Sequence, residues 1–266
     1  MEIWLASLIY YAYVYSLCEL AKIIVKRLVS EEHDAYSLLI EIIGTVEVCA
    51  PYLDMDFVLE HYGLIGVFFE SLLIEYLTWR LVKDAWACPC YFASPQFWKD
   101  VEPEEKTRYA AVVSVGQLVG AALVYPMARV FWRLGLHEDH TELFLGECES
   151  DLTVSVLVGF LIELVGMVAC RWLELFAIRV LPRYEYIFNS TAASVIAVFG
   201  VRSTGMYSNP IMASACTFNC KGPSIMSHLF IYWVAAFLGW HIAERHFNSF
   251  DAIQYYKSYG KSLKHN

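Results

Sequence analysis

The sequence predicts an all-α membrane protein. It reads as an inverted repeat of six spanning helices and two re-entrant half-helices, with an extra N-terminal transmembrane helix. Three observations lead there. Of the 266 residues, 58% are hydrophobic and only 18% are charged, against about 25% charged in ordinary soluble domains. Seven apolar segments approach the roughly 20 residues that a bilayer-spanning helix needs. The chain after the first segment also resembles itself when shifted by about half its length. The net charge of −9 argues against a nucleic-acid partner, which would select a basic face. The implied partner is the lipid bilayer.

In chain order the segments are approximately Ile3–Val25, Ser37–Leu53, Tyr62–Trp79, Tyr109–Ala128, Leu152–Cys170, Glu185–Val201 and Ile225–Ala243. The first lacks the basic start and small-residue cleavage site of a signal peptide, so it is expected to stay as a helix. Its basic residues, Lys22, Lys26 and Arg27, follow the apolar run and place its C-terminal end in the cytosol. Alternate connections then carry most of the 19 Lys and Arg residues, including Arg80, Lys83, Lys99, Arg171, Arg183, Arg245, Lys257, Lys261 and Lys264. The opposite side carries acidic stretches around Asp54 and from His137 to Asp151. The N-terminus is therefore expected to be non-cytosolic, and residues 246–266 form a cytosolic tail. On this topology the sequon Asn189-Ser190-Thr191 faces the cytosol and carries no glycan.

Two apolar pieces, Trp86–Trp98 and Ser208–Asn219, are too short to span, and each has a proline near its start. Proline is tolerated as the first residue of a helix, so both read as half-helices entered from a loop. The repeat explains their placement. Glu41 in "LLIEIIG" aligns with Glu163 in "FLIELVG", and Gly44 with Gly166, at a shift of 122. Pro89 in "ACPC" aligns with Pro210 in "SNPI" at a shift of 121. Each half then holds three spans, so the halves enter the membrane from opposite sides and their half-helices meet near its midplane. Free N–H groups at the two helix starts put partial positive charge there. Cations are repelled, and a neutral polar solute can accept hydrogen bonds.

These residues resemble the aquaporin family. Its hallmarks are two Asn-Pro-Ala boxes on half-helices and a buried Glu in the first span of each half. The boxes correspond here to Cys88-Pro89-Cys90 and Asn209-Pro210-Ile211, and the span glutamates to Glu41 and Glu163. The resemblance covers about residues 35–245, with repeats at about 35–130 and 150–245, after an extra helix at 1–30. Cys90 in the first box and Cys220, nine residues beyond Ile211, resemble the unorthodox branch. The resemblance implies a channel for water or small neutral solutes such as glycerol and hydrogen peroxide. It also implies a homotetramer and, from the branch, the endoplasmic reticulum, with the plasma membrane as the other option. No catalytic residue, cofactor or metal site is expected.

Departures from the family pattern matter as much. The first box's Asn is Cys88, a weaker donor. The filter Arg falls on Met212, and the remaining filter positions fall on Phe68, Ala197 and Met206, with Phe68 the least secure placement. Such a filter has no fixed cation and fits a wide glycerol-type opening or a poorly conducting pore. Arg202 is read as a solvated or carboxylate-paired loop residue that could swing toward the mouth. Glu41 and Glu163 are expected to bind the backbone of the re-entrant loops. Glu70 and Glu75 are expected to pair inside the bundle, with Arg80 as one partner, or to reach toward the interface, with a solute-facing carboxylate as the alternative, and Glu47 and Glu174 to be interfacial. The cysteines read as small packing residues, and "HEDH" at 137–140 as a solvated acidic loop. A secondary transporter and a poorly conducting scaffold with the same fold remain the alternatives.

Overall fold

The computed structural model describes residues 1–94 and 102–262, with side chains through residue 248. Trp98, Lys99 and Lys264 lie outside the described residues, as do the side chains of Lys257 and Lys261. The elements are α1 (Ile3–Leu28), α2 (Asp34–Cys49), α3 (Met55–Leu81), α4 (Pro103–Trp132), α5 (Glu138–Leu145), α6 (Val156–Val180), α7 (Glu185–Thr204), α8 (Pro210–Thr217), α9 (Ile225–His228) and α10 (Ala235–Ser262). Short 3₁₀ turns occupy Ala50–Asp54 and Pro89–Ala93, and a π turn over Leu229–Val234 joins α9 to α10. Among the described residues no strand forms, and the protein is an all-α, multi-pass membrane protein.

Among the described residues, five helical runs are long and apolar enough to cross a membrane: Ile3–Leu28, Asp34–Leu81, Pro103–Trp132, Val156–Val180 and Ile225–Asn248. The second run contains both α2 and α3, which the sequence separated into two spans. The expected second segment ran to Leu53, but α2 stops at Cys49 where Pro51 enters the 3₁₀ turn. The third begins early, at Met55, and breaks at Gly63, whose φ of 63° favours glycine. The remaining expected span, α7, is not among these runs. Its polar residues give the reason: Glu185, Asn189 and Ser190 lower its hydropathy and line a cavity.

Packing repeats between the halves. Helix α2 lies against α4 as α6 lies against α10, and α3 meets α7 across the centre. Close approach in the first pair needs Gly116 and Gly120 on α4. A Cβ at Gly116 would stand 2.9 Å from Glu41 Cβ, and one at Gly120 would stand 2.7 Å from Thr45 Cβ. The extra helix α1 packs on both α2 and α3. Tyr10 donates to Ala50 O at 2.9 Å and Tyr11 donates to Glu70. Lys22 pairs with Glu47 at 2.5 Å and with Glu19 at 2.5 Å, and donates to Leu81 O at 3.1 Å.

Several side chains correct the sequence expectations. Glu47 is fully buried rather than interfacial, because Lys22 of α1 neutralises it. Glu70 and Glu75 take tyrosine partners, Tyr11 and Tyr52, in place of Arg80. Tyrosine supplies a donor without bringing a second charge into the bundle. The "HEDH" stretch is not a solvated loop. It starts α5, and His140 is fully buried, 3.4 Å from the equally buried Asp54 and edge-on to Phe57 and Phe131. His61 joins Asp139 at 2.8 Å, a second tie between α3 and α5.

The packing reading also fails for two cysteines. Cys148 and Cys220 form a disulfide that links the α5–α6 connection to the residues after α8. Backbone hydrogen bonds between Lys221 and the 148–150 stretch, and a Glu149–Lys221 ion pair at 3.1 Å, surround it. Both cysteines fall on the side assigned as non-cytosolic, where disulfides persist. Cys220→Ser is expected to cost about 2–5 kcal/mol, read as a lower melting temperature with loss of the reductant-sensitive gel shift. The other six thiols are free, and all but Cys170 are buried.

Candidate functional site: a cavity beside two facing helix starts

The two stretches expected to be re-entrant are built alike. Ala87 and Ser208 both adopt positive φ, at 49° and 46°. The next residues, Cys88 and Asn209, are extended, with φ of −153° and −150°, and each precedes a proline that opens a helical turn. The glutamates hold these stretches in place. Glu41 accepts from Trp86 N at 3.0 Å and Ala87 N at 2.6 Å, and Gln117 Nε2 adds a third bond at 2.8 Å. Glu163 accepts from Tyr207 N at 3.2 Å, Ser208 N at 3.0 Å and the Thr204 hydroxyl at 2.7 Å. A buried carboxylate that satisfies several otherwise orphaned N–H groups offsets its own desolvation. Gly44 and Gly166 leave the necessary room: a Cβ would come within 2.2 Å of Ala85 at the first and 2.4 Å of Met206 at the second.

Asn209 joins the two halves. Its Oδ1 accepts from Ile211 N at 3.0 Å, capping α8, and its Nδ2 donates to Ala87 O at 2.9 Å. The two box prolines, Pro89 and Pro210, thus begin helical turns from adjacent backbone. One N–H of the Asn209 amide remains for another partner. Cys88, in the equivalent place, makes no capping bond. The first turn is a 3₁₀ piece, Pro89–Ala93, whereas the second is the eight-residue helix α8.

Beside this junction lies a cavity of about 430 Å³. Of the residues singled out from the sequence, Cys88, Asn209, Ala197, Met206 and Met212 line it. Phe68 lines neither this cavity nor the smaller one described below, and Arg202 is exposed and lines neither. Pro210 and Ile211 are buried at the start of α8, and Cys90 is buried against Cys88, Met167 and Trp240. Ser71 and Thr78, to which the sequence did not point, also face the cavity, as do Glu75 and Cys170, the latter read from the sequence as a packing residue. Toward one end, Arg171 pairs with Glu174 at 2.9 Å and Glu244 at 2.6 Å, its guanidinium 3.9 Å from the Trp240 ring centre. Arg171 was expected in a cytosolic connection; it is buried because these two carboxylates and the ring replace water. Among the described residues, no group of three or more His, Cys, Asp or Glu is placed to hold a metal ion.

The second, smaller cavity, of about 90 Å³, lies toward the disulfide and is lined by Met55, Asp56, Cys148, Asp151 and Gly205, among others. Asp151 accepts from the Tyr207 hydroxyl. Burial, and then the neighbouring Asp56, push the Asp151 carboxyl up to about 7.

Asn189 also lines the larger cavity, and the Thr191 hydroxyl of its sequon is bonded within α7 to Ile187 O at 2.7 Å. A helical sequon on a cavity wall is closed to a transferase. Endoglycosidase treatment of the protein from eukaryotic cells is therefore expected to leave any mobility contribution of Asn189 at zero, so that Asn189→Gln migrates with the wild type.

Fold and site together define a helical membrane protein with two proline-led turns abutting beside a cavity. Comparison with known proteins agrees with that class. No family model matches the chain. The chain is 26% identical over 241 residues to a protein named aquaporin-11 from Milnesium tardigradum, covering 88% of this chain and 84% of that protein. It is 26% identical over 249 residues to putative aquaporin-10 of Caenorhabditis elegans, covering 88% and 83%. A shorter match, 26% over 133 residues, joins it to aquaporin-12 of Mus musculus, covering 48% and 44%. The resemblance to aquaporins of the unorthodox branch thus extends along most of the chain.

Proposed function

We propose that the protein is a membrane channel for passive permeation of water and small neutral solutes, glycerol and hydrogen peroxide among them, between its two half-helices. The observation that carries this reading is the Asn209 Nδ2 to Ala87 O bond beside a cavity of about 430 Å³. Helix starts at 89 and 210 direct partial positive charge at that point and disfavour cations. Cys88, Pro89, Cys90, Asn209, Pro210 and Ile211 form the pore boxes, and Glu41, Glu163 and Cys220 support them. Of the filter proposed from the sequence, Ala197, Met206 and Met212 face the cavity and are kept, and Phe68, which lines neither cavity, is not. In this reading residues 35–245 are the channel domain, residues 1–30 an added helix, and the working unit a homotetramer in an intracellular or plasma membrane. The work done is permeation, without catalysis or a cofactor.

Stopped-flow light scattering on reconstituted vesicles tests this. Wild-type vesicles are expected to exceed empty vesicles in water, glycerol or peroxide permeability. Ala197→Trp, which fills the cavity, is expected to remove most of the excess. Vesicles no more permeable than empty ones to all three solutes would favour the scaffold alternative. Flux that saturates and follows an ion gradient would favour a transporter.

A further inference from the structure

Among the described residues, two line both the larger and the smaller cavity: Tyr52 and Tyr207. Both residues therefore border the two cavities at once. From this we infer that the Tyr52–Tyr207 ring pair is the neck that sets the size of the permeating solute, an inference that rests on the channel reading above. The proposed filter residues Ala197, Met206 and Met212 line the larger cavity alone, so the separation between the two chambers is not at their side chains.

Both rings are held from their hydroxyl ends. Tyr52, in the 3₁₀ turn after α2, donates to Glu75 Oε1 of α3 at 2.5 Å. Tyr207, in the re-entrant stretch before α8, donates to Asp151. The backbone of Tyr207 is pinned as well, through its N–H to Glu163. Its ring meets Tyr232 edge-on at 5.7 Å and occupies space that only glycine leaves at 205, where a Cβ would stand 2.5 Å from Tyr207 Cε2. The φ of Gly205, 80°, is itself a glycine conformation. With both hydroxyls bonded to carboxylates, the rings present carbon faces and edges to the passage. The rings carry no charge, and the carboxylates that hold them, Glu75 on the larger cavity and Asp151 on the smaller, lie to either side, so the aromatic surface between them discriminates by size. Water and hydrogen peroxide pass with small ring displacements, and a three-carbon polyol needs a larger one.

The test uses full-length protein in lipid vesicles, with water and glycerol permeability measured by stopped flow for wild type, Tyr52→Ala, Tyr207→Ala and Tyr207→Trp. Each variant is first checked for a monodisperse elution profile. The alanine variants are expected to raise the glycerol-to-water permeability ratio at least fivefold, and Tyr207→Trp to lower glycerol permeability by a similar factor. Opposite signs from shrinking and enlarging one side chain separate a neck from a folding defect. A wild type that conducts, with a ratio unchanged in all three variants, would overturn the neck and leave the channel reading intact. A silent wild type with conducting alanine variants would support the neck as the closure. Silence in all four proteins would overturn both readings.

Discussion

Glu163→Ala is expected to be among the most damaging single substitutions in this protein. It removes the acceptor of three donors at once: the Thr204 hydroxyl and the backbone N–H groups of Tyr207 and Ser208. Glu163 itself is 2% exposed, so water does not replace it readily. A buried donor left without a partner costs about 1–3 kcal/mol. The two backbone groups cannot move away, because Met206 and Ser208 are held at φ of 51° and 46° by the same loop. A total loss of about 3–5 kcal/mol follows if the loop stays in place and shares the deficit. Glu163→Gln keeps one acceptor oxygen and is expected to recover roughly half of that. Thermal unfolding in detergent reads the order: wild type above Glu163→Gln above Glu163→Ala. A Glu163→Ala protein that melts with the wild type would mean that the carboxylate does not hold the loop.

The second large effect is expected at the buried pair Lys22–Glu47. The two charges stand 2.5 Å apart, with Glu47 fully buried. Removing one partner of such a pair leaves an uncompensated charge and costs about 3–5 kcal/mol, whereas replacing both with apolar residues is often neutral. Lys22→Met should therefore destabilise strongly, and Lys22→Met with Glu47→Leu should restore most of the loss. The residual difference reflects Glu19 and Leu81 O, the other partners of Lys22. If the double variant is no more stable than the single one, Lys22 acts through packing, not charge. Either way the measurement reports on how α1 is attached, since this pair joins it to α2 and the Leu81 bond joins it to the end of α3.

The parts of this architecture that were legible in the sequence are those that leave local signals. Apolar runs marked the long helices, and proline at 89 and 210 marked the two short helical turns that meet. Glu41 and Glu163 were readable because a carboxylate inside an apolar run must find donors, and the Glu-to-Gly spacing recurs in both halves. What stayed hidden depends on the register between elements far apart in the chain. Lys22 and Glu47 each lie in an apolar segment beside another charge, Glu19 and Glu41, and nothing local says that they face one another. His140 and Asp54 look solvated in their acidic surroundings, and only the packing of α5 over the turn at 50–54 buries them. Cys148 and Cys220 are 72 residues apart and sit in dissimilar contexts. Tyr52 and Tyr207 are two of 18 tyrosines, and their shared position between two cavities is a property of the assembled helices.

All of these readings return to one contact, the meeting of the turns that begin at Pro89 and Pro210. An experimental density map of the protein in a lipid nanodisc, at a resolution that places side-chain amides, measures that contact directly. The account predicts Asn209 Nδ2 within hydrogen-bonding distance of Ala87 O, halfway between the two lipid headgroup layers, with the adjoining cavity open beside it. Pro89 and Pro210 lying apart, or together at the surface of one leaflet, would contradict it.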